Sequence, residues 1–298
     1  MTAMNVRTLP QALRLGIAIA CLCAFQSAHA GQFVLLPEGT VTLIRATTVF
    51  NVDAPIALEQ GDLLATSAQS SAQIEADGTI VALGADTRIA VDAARGSDSL
   101  ALLSGWIKIA RTPAAATAPL SLDTAALDAV MRDGAAVLHA SRDATSLFLE
   151  TGSMTLALPE HADAQRSLDG EHYVGREAGK PLDVSARPAP SFIATMPLPF
   201  RDPLASVPAP TKAKLAVPSQ GRPATFADLA DWLVAPLGIR RSFVTRFRPL
   251  AQGEPFRSQV RQNLRNLPEW RRVLCPPPAM QRRRAVVPMQ AQSTEVES

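Results

Sequence analysis

Beyond residue 30, the side chains whose types could do chemistry are three histidines (His139, His161 and His172), one cysteine (Cys275), and a row of arginines at Arg257, Arg261 and Arg265. The histidines are scattered, and none has a second ligand at metal spacing, so no metal site is expected. There is no Gly-x-Ser-x-Gly elbow, phosphate loop or dinucleotide fingerprint. Carboxylates are numerous and a pair such as Asp62 and Asp77 could converge, but acidic residues in turns ordinarily cap their own backbone. Cys275 is the single cysteine beyond the first thirty residues and cannot form an internal disulfide. Beside Pro276-Pro277-Pro278 it is expected to be a buried or half-buried thiol. The expectation is a protein without catalytic residues and without a cofactor. Recognition remains, and the arginines at i, i+4 and i+8 are its clearest candidate surface.

The arginines need a helix to align them. One is expected from about Pro255, which is tolerated in a first turn, to Asn266, with Phe256, Val260 and Leu264 on the buried stripe beside the basic row. Pro268 ends it, and Trp270 and Leu274 add apolar weight. An earlier helix starts at Thr225 as N-cap, with Asp228 at the third helical position, and carries Phe226, Leu229, Trp232 and Leu233 on one stripe until Pro236 and Gly238. Two readings of this segment stand side by side. It forms a small helical pair packed on the rest of the chain with its arginines solvated, or its basic row docks onto an anionic surface. Near an acidic membrane each arginine would add ~1 kcal/mol, with screening limiting the reach to about 8 to 10 Å.

The 298-residue chain is electrically split. Residues 31–190 hold 11 basic and 20 acidic side chains, and residues 191–298 hold 16 basic and 7 acidic. Such asymmetry points to mutual attraction between the halves or to an interaction surface. Residues 1–30 read as a secretory signal: Arg7 and Arg14, an apolar core from Leu15 to Phe25, and Ala28-His29-Ala30 ahead of a cleavage site before Gly31. An uncleaved anchor, or a lipoprotein whose lipobox ends at Ala20-Cys21, are the minor alternatives. After cleavage no transmembrane helix is expected. The location is therefore periplasmic or secreted, and a nucleic-acid partner is not expected despite Arg282-Arg283-Arg284. Ten of the 24 prolines fall between Pro181 and Pro223, so 187–223 reads as a Pro-rich linker over the surface of the preceding domain. The organisation expected is a signal over 1–30, an all-β domain over 31–186, the linker over 187–223, a basic helical segment over 224–275 and a disordered tail over 276–298.

The all-β expectation comes from a repeated unit, apolar-x-apolar-x-x-Gly-x-apolar-x-apolar, at Ile56–Ala65, Leu100–Ile109 and Leu147–Leu156. Alternation on both sides of a glycine is the pattern of two strands joined at a tight turn, so hairpins are expected, with a parallel solenoid corner as the alternative. With Ser104-Gly105 as the turn, Leu102 opposes Ile107 and Leu100 opposes Ile109, all on one face. The same register puts Leu147, Leu149, Met154 and Leu156 on one face. Further strands are expected over Thr40–Val52, over Gln73–Leu83 around an Asp77-Gly78 turn, over Thr87–Val91 and over Ala135–His139. Short strands at this rhythm make the chain mainly β, a sandwich or jelly roll with a β-solenoid as alternative.

The order Gly61-Asp62-Leu63-Leu64-Ala65-Thr66, Ser71-Ala72-Gln73-Ile74, Asp77-Gly78-Thr79-Ile80-Val81-Ala82-Leu83, Asp86-Thr87-Arg88-Ile89 and Leu102-Leu103-Ser104-Gly105-Trp106 resembles the FecR domain, most clearly from about Gly39 to Leu158. The resemblance implies a periplasmic β module whose best-known members relay iron-transport signals to a cytoplasmic sigma factor. Those members place a cytoplasmic segment and a membrane helix before the β domain, whereas here a cleavable signal leads into it. A wholly exported chain cannot touch a cytoplasmic sigma factor. The family's Gly-Thr pair before its last strands is replaced by Asp133-Gly134-Ala135. Leu198-Pro199-Phe200-Arg201-Asp202 and Pro268-Glu269-Trp270 look like the tail of exported proteobacterial members. The expected function is a non-catalytic periplasmic module that binds or scaffolds an envelope protein, in signalling, with a peripheral membrane or cell-wall contact available. The alternatives are a module binding wall polymer or polysaccharide and, lower, an envelope hydrolase. Low aromatic content counts against sugar binding unless Trp106 faces outward.

Overall fold

The computed structural model describes residues 33–76, 78–91, 99–113, 118–207 and 214–275, so the leader, Asp77 and the tail lie outside the described residues. The chain is mainly β, one open sheet with a helical C-terminal segment. It opens with β1 (Val34–Glu38), β2 (Val41–Arg45), β3 (Thr48–Val52) and β4 (Ile56–Ala57). Next come β5 (Leu63–Thr66), β6 (Ser71–Ala76), β7 (Thr79–Leu83) and β8 (Arg88–Val91). Three long strands form the centre: β9 (Ser99–Arg111), β11 (Asp128–Ala140) and β12 (Ala144–Leu158), with β10 (Leu120–Asp123) between the first two. The set is completed by β13 (His161–Asp169), β14 (His172–Glu177), β15 (Asp183–Ser185) and β16 (Arg222–Pro223).

The pairings fold this sheet into two layers. In the first, the start of β9 lies between β8 and β10, β8 continues through β5 and β2 to β3, and the start of β11 pairs β10 and the end of β12. In the second, the end of β9 lies between β7 and the end of β11, which pairs the start of β12 and so reaches β14, while β7 leads through β6 to β1. The inward residues of both layers meet in one core, including Leu35, Leu43, Leu64, Ile107, Leu138 and Met154. Alternation of apolar and polar side chains along each strand makes this burial possible on the inner face.

The repeated units differ from hairpins. β9 and β12 run unbroken through Gly105 (φ +96°) and Gly152 (φ +82°), and β4 and β5, on either side of Gly61 (φ +87°), do not pair with each other. Each glycine marks a corner at which the chain passes from one layer to the other. A positive-φ glycine serves a hairpin and a strand bend equally well, and the pairing partners decide between them. The expected facing survives all the same: Leu100, Leu102, Ile107 and Ile109 share the inner core, as do Leu147, Leu149, Met154 and Leu156. Leu102 and Ile107 are five residues apart and would face opposite sides of a straight strand. One extra residue on β9 against β8, and one on β12 against β11, restores the inward facing after each corner.

Both outer faces are covered by the chain's C-terminal part. On the second layer lies a strap beginning with α1 (Pro190–Thr195), with proline in the first helical turn. Phe192, Met196 and Phe200 from the strap pack on Val137 and Tyr173, with Trp106 and Phe148 alongside. Lys108, only 1% exposed, donates to the Phe200 carbonyl at 2.9 Å and pairs with Glu150 at 2.8 Å. Further along, the Val207 amide and the Ser206 hydroxyl donate to the Glu75 carboxylate at 2.6 and 3.1 Å. On the first layer lies the helical segment: α2 (Phe226–Leu233), α3 (Leu237–Arg240), α4 (Phe243–Phe247), α5 (Glu254–Gln262) and α6 (Arg271–Leu274). Leu229, Trp232, Phe247, Val260 and Trp270 from it are buried with Ile44, Val49, Leu63, Ala101 and Leu103 of the sheet. At ~1.5 to 3 kcal/mol for each large buried side chain, this contact is on the order of 10 kcal/mol before ordering entropy.

Candidate functional site

The family-like residues are built into the corners of the sandwich. Asp62, 1% exposed, accepts from Arg45 at 3.0 Å (Nε) and 2.6 Å (Nη2) and from the Glu59 amide at 2.8 Å, which fixes the approach to β5. This hydrogen bonding, ahead of the nearby charges, raises the Arg45 pKa. Thr66 Oγ1 donates to the Gly84 carbonyl at 2.7 Å and accepts from the Thr87 amide at 2.8 Å. Thr87 Oγ1 in turn accepts from the Trp106 amide at 3.1 Å, holding the Gly105 corner. These groups are consumed by architecture. Asp77, the other half of the carboxylate pair considered from sequence, lies outside the described residues.

The histidines do not converge. His139 stacks on Trp106 at 4.5 Å between ring centroids, and Phe192 of the strap closes on the same indole at 5.0 Å. Burial lowers the His139 pKa from its ordinary value. Trp106 lies on the outer face of its layer, half-buried beneath the strap, so it offers no open platform to a sugar ring. His172 Nδ1 lies 2.9 Å from the Asp169 carbonyl in the β13–β14 turn. Among the described residues no three His, Cys, Asp or Glu side chains gather as metal ligands. Cys275 is exposed, contrary to the expectation of a buried thiol, because Leu274 fills the core position beside it.

The arginine row lies on the helical segment. α2 begins as expected: the Asp228 amide donates to Thr225 Oγ1 at 3.4 Å, the Thr225 amide donates to Asp228 Oδ2 at 2.8 Å, and Leu229, Trp232 and Leu233 are buried. α5 is shorter than expected and stops at Gln262, where the Asn263 amide and side chain both donate to the Gln259 carbonyl at 3.2 and 2.8 Å. Arg257 and Arg261 are therefore on the helix, while Arg265 sits in the turn after it. Phe256 and Val260 point to the core, Arg257 is half-buried, and Arg261 and Arg265 are exposed. The segment thus packs on the sheet with one side and turns Arg261 and Arg265 to solvent with the other.

Its charges are unbalanced. Residues 224–275 contain 9 basic and 4 acidic side chains. Three of the acids are already paired: Asp228 with Arg222 at 2.6 Å, Asp231 with Arg88 at 3.0 Å and Glu269 with Arg240 at 3.0 Å. The Arg222 guanidinium holds the Asp228 carboxyl far below the usual carboxylate range. Arg246 is spent on the backbone, donating to the carbonyls of Ala46 at 3.0 Å, Ile44 at 2.9 Å and Gly61, and burial pushes its pKa down to about 10, which leaves it charged at neutral pH. Among the described residues, Arg241, Arg248, Arg257, Arg261, Arg265, Arg271 and Arg272 have no acidic partner. The sequence pointed to three of these seven. The others come from the ends of α3 and α4 and from α6, whose apolar side chains share the buried cluster of α5.

No curated protein matches the chain. Two solved structures of a candidate anti-sigma factor from Parabacteroides distasonis, at 2.50 and 1.65 Å resolution, are similar in part. The first has a TM-score of 0.37 and 17% identity over 44% of this chain and 62% of that one. The second has a TM-score of 0.37 and 16% identity over 44% and 63%. This chain therefore spans less than two thirds of their length. The firmer finding concerns the β domain: residues 62–155, from the buried Asp62 to Thr155 within β12, match the FecR family model, described as FecR protein, so the family resemblance holds over that stretch.

Proposed function

We propose that the protein is a non-catalytic regulator-type module of the bacterial envelope, exported by the leader 1–30 to the periplasm, that binds an acidic envelope protein through the arginine-rich face of its helical segment. The observation that carries this reading is the surplus of seven unpaired arginines on a segment whose apolar side is already committed to the sheet. A stabilising role alone needs only that apolar side. A segment with this excess of positive charge attracts a partner that supplies carboxylates. The FecR match supports a role in signalling, and the exported location directs that role to a partner outside the cytoplasm.

In-cell crosslinking of tagged protein in an exporting bacterium, followed by mass spectrometry, tests the proposal. The expected result is one dominant envelope protein, lost in the triple variant Arg257→Glu, Arg261→Glu, Arg265→Glu with unchanged thermal unfolding. Recovery with wall material or lipid and no protein partner would overturn it in favour of polymer or membrane binding.

A further inference from the structure

Beside the arginines, the helical segment carries an apolar groove of about 700 Å³ between the start of α2 and the start of α5. Its walls include Pro223, Phe226, Ala227, Leu250, Pro255 and Phe256. Phe226 and Phe256 meet edge to face with centroids 6.0 Å apart, forming a firm aromatic floor. The polar groups at the α2 end are already engaged, since Thr225 and Asp228 satisfy each other and Asp228 also binds Arg222. Ser258 and Gln259 add polar groups on the α5 side, so the apolar walls seat a bulky apolar side chain while these two can meet the backbone of the segment that carries it.

The geometry of α5 relates the groove to the arginines. At 100° per residue, with Phe256 and Val260 directed to the core, Pro255 and Gln259 fall on one flank and Arg257 and Arg261 on the other. α5 is thus a ridge with an apolar trough on one side and a cationic row on the other, about one helix diameter apart, roughly 10 Å. We propose that the groove seats a large apolar side chain, leucine or phenylalanine in type, from an acidic segment of a partner protein that crosses α5 and lays its carboxylates along Arg257 and Arg261. This rests on the reading above and adds the chemistry of the partner's contact segment.

Charge complementarity favours a peptide-like occupant, and the shape favours a protein over a bilayer. Surfaces that dip into lipid do so with protruding apolar side chains. Among the described residues the exposed large aliphatics are Ile193, Leu198, Val207 and Val217, all ahead of the helical segment. The basic surface offers a concavity instead, and a concavity takes a knob from a partner.

Two fluorescently labelled synthetic peptides of equal glutamate content test this by anisotropy with the purified chain from Gly31 onward. One carries paired leucine and phenylalanine anchors, and the other has alanine at those positions. The anchored peptide is expected to bind about tenfold tighter or better, as burial of one such side chain allows. Ala227→Glu, at an exposed wall of the groove, is expected to erase that difference without changing thermal unfolding, and Arg261→Glu to weaken both peptides alike. Equal binding of the two peptides, with Arg261→Glu still weakening both, overturns the groove and leaves the arginine face standing. Failure of both peptides to bind at low salt overturns both. Self-association of the chain that disappears in Ala227→Glu would make the groove a contact between copies and also overturn the assignment.

Discussion

At Gly105 a β-carbon would come within 2.5 Å of Thr87 Cα and Oγ1 and 2.9 Å of the Asp86 carbonyl, while the backbone holds φ +96°. Thr87 is fully buried in the turn just ahead of β8 and is tied by its hydroxyl to the Trp106 backbone, so it has little room to retreat. Gly105→Ala is therefore expected to cost about 2 to 4 kcal/mol through strain and displacement of Thr87, seen as a lower midpoint of thermal unfolding. A midpoint equal to that of the parent protein would contradict the corner geometry. His139 gives a pH-dependent counterpart. Burial depresses its folded-state pKa, so the unfolded chain takes up the proton first. The stability that its neutral form provides is complete above about pH 6.5 and declines as the pH falls from there through the lower folded-state pKa. Denaturant titrations in this window should show a smaller decline in His139→Phe, which keeps a ring against Trp106. Equal slopes in the two proteins would remove His139 as the cause.

At the scale of elements, the strap depends on one buried cation. Lys108 joins β9 to Phe200 and to Glu150, the extra residue at the β12 corner. Lys108→Met keeps the stem but leaves the Phe200 carbonyl without its charged donor, a loss of about 1 to 3 kcal/mol. Amide exchange over 190–207 should accelerate well before that of β7 and β14, and uniform acceleration across the chain would contradict a separable strap. The sequence made some of this legible. Alternation located the stretch that becomes β2 and β3, the Asp77-Gly78 signal located β6 and β7, a short β-branched run located β8, and the Thr225/Asp228 pair located the start of α2 to the residue. The glycine positions were legible too, but whether positive φ closes a hairpin or turns a corner depends on strands far along the chain, such as β7 and β8 meeting opposite ends of β9. The strap's anchoring was not legible, because Lys108 and Phe200 are 92 residues apart. For the candidate site, helical spacing disclosed the arginine row. The groove beside it arises only when α2 and α5, separated in the chain by α3 and α4, pack together, and Asn263 ends α5 before Arg265 by a local hydrogen bond that spacing does not reveal.

For the whole molecule, the strands that turn corners mean that neither layer exists without the other. β9, β11 and β12 each contribute hydrogen bonds to both, so separating the layers requires breaking the strands' own pairings. The region matching the family runs only from residue 62 to 155. Outside it lie β1 to β4, which supply Leu35, Val41 and Leu43 to the inner core, as well as the strap and helices that shield the two outer faces. A polypeptide trimmed to 62–155 would bare apolar surface on three sides at once. It is expected to aggregate on expression, whereas residues 33–275 remain soluble and unfold in a single transition; a monomeric, cooperatively melting 62–155 fragment would disprove this. The stretch that recurs as a family pattern is thus smaller than the body that must fold, and transplanting such a module into another protein means carrying both of its covers with it.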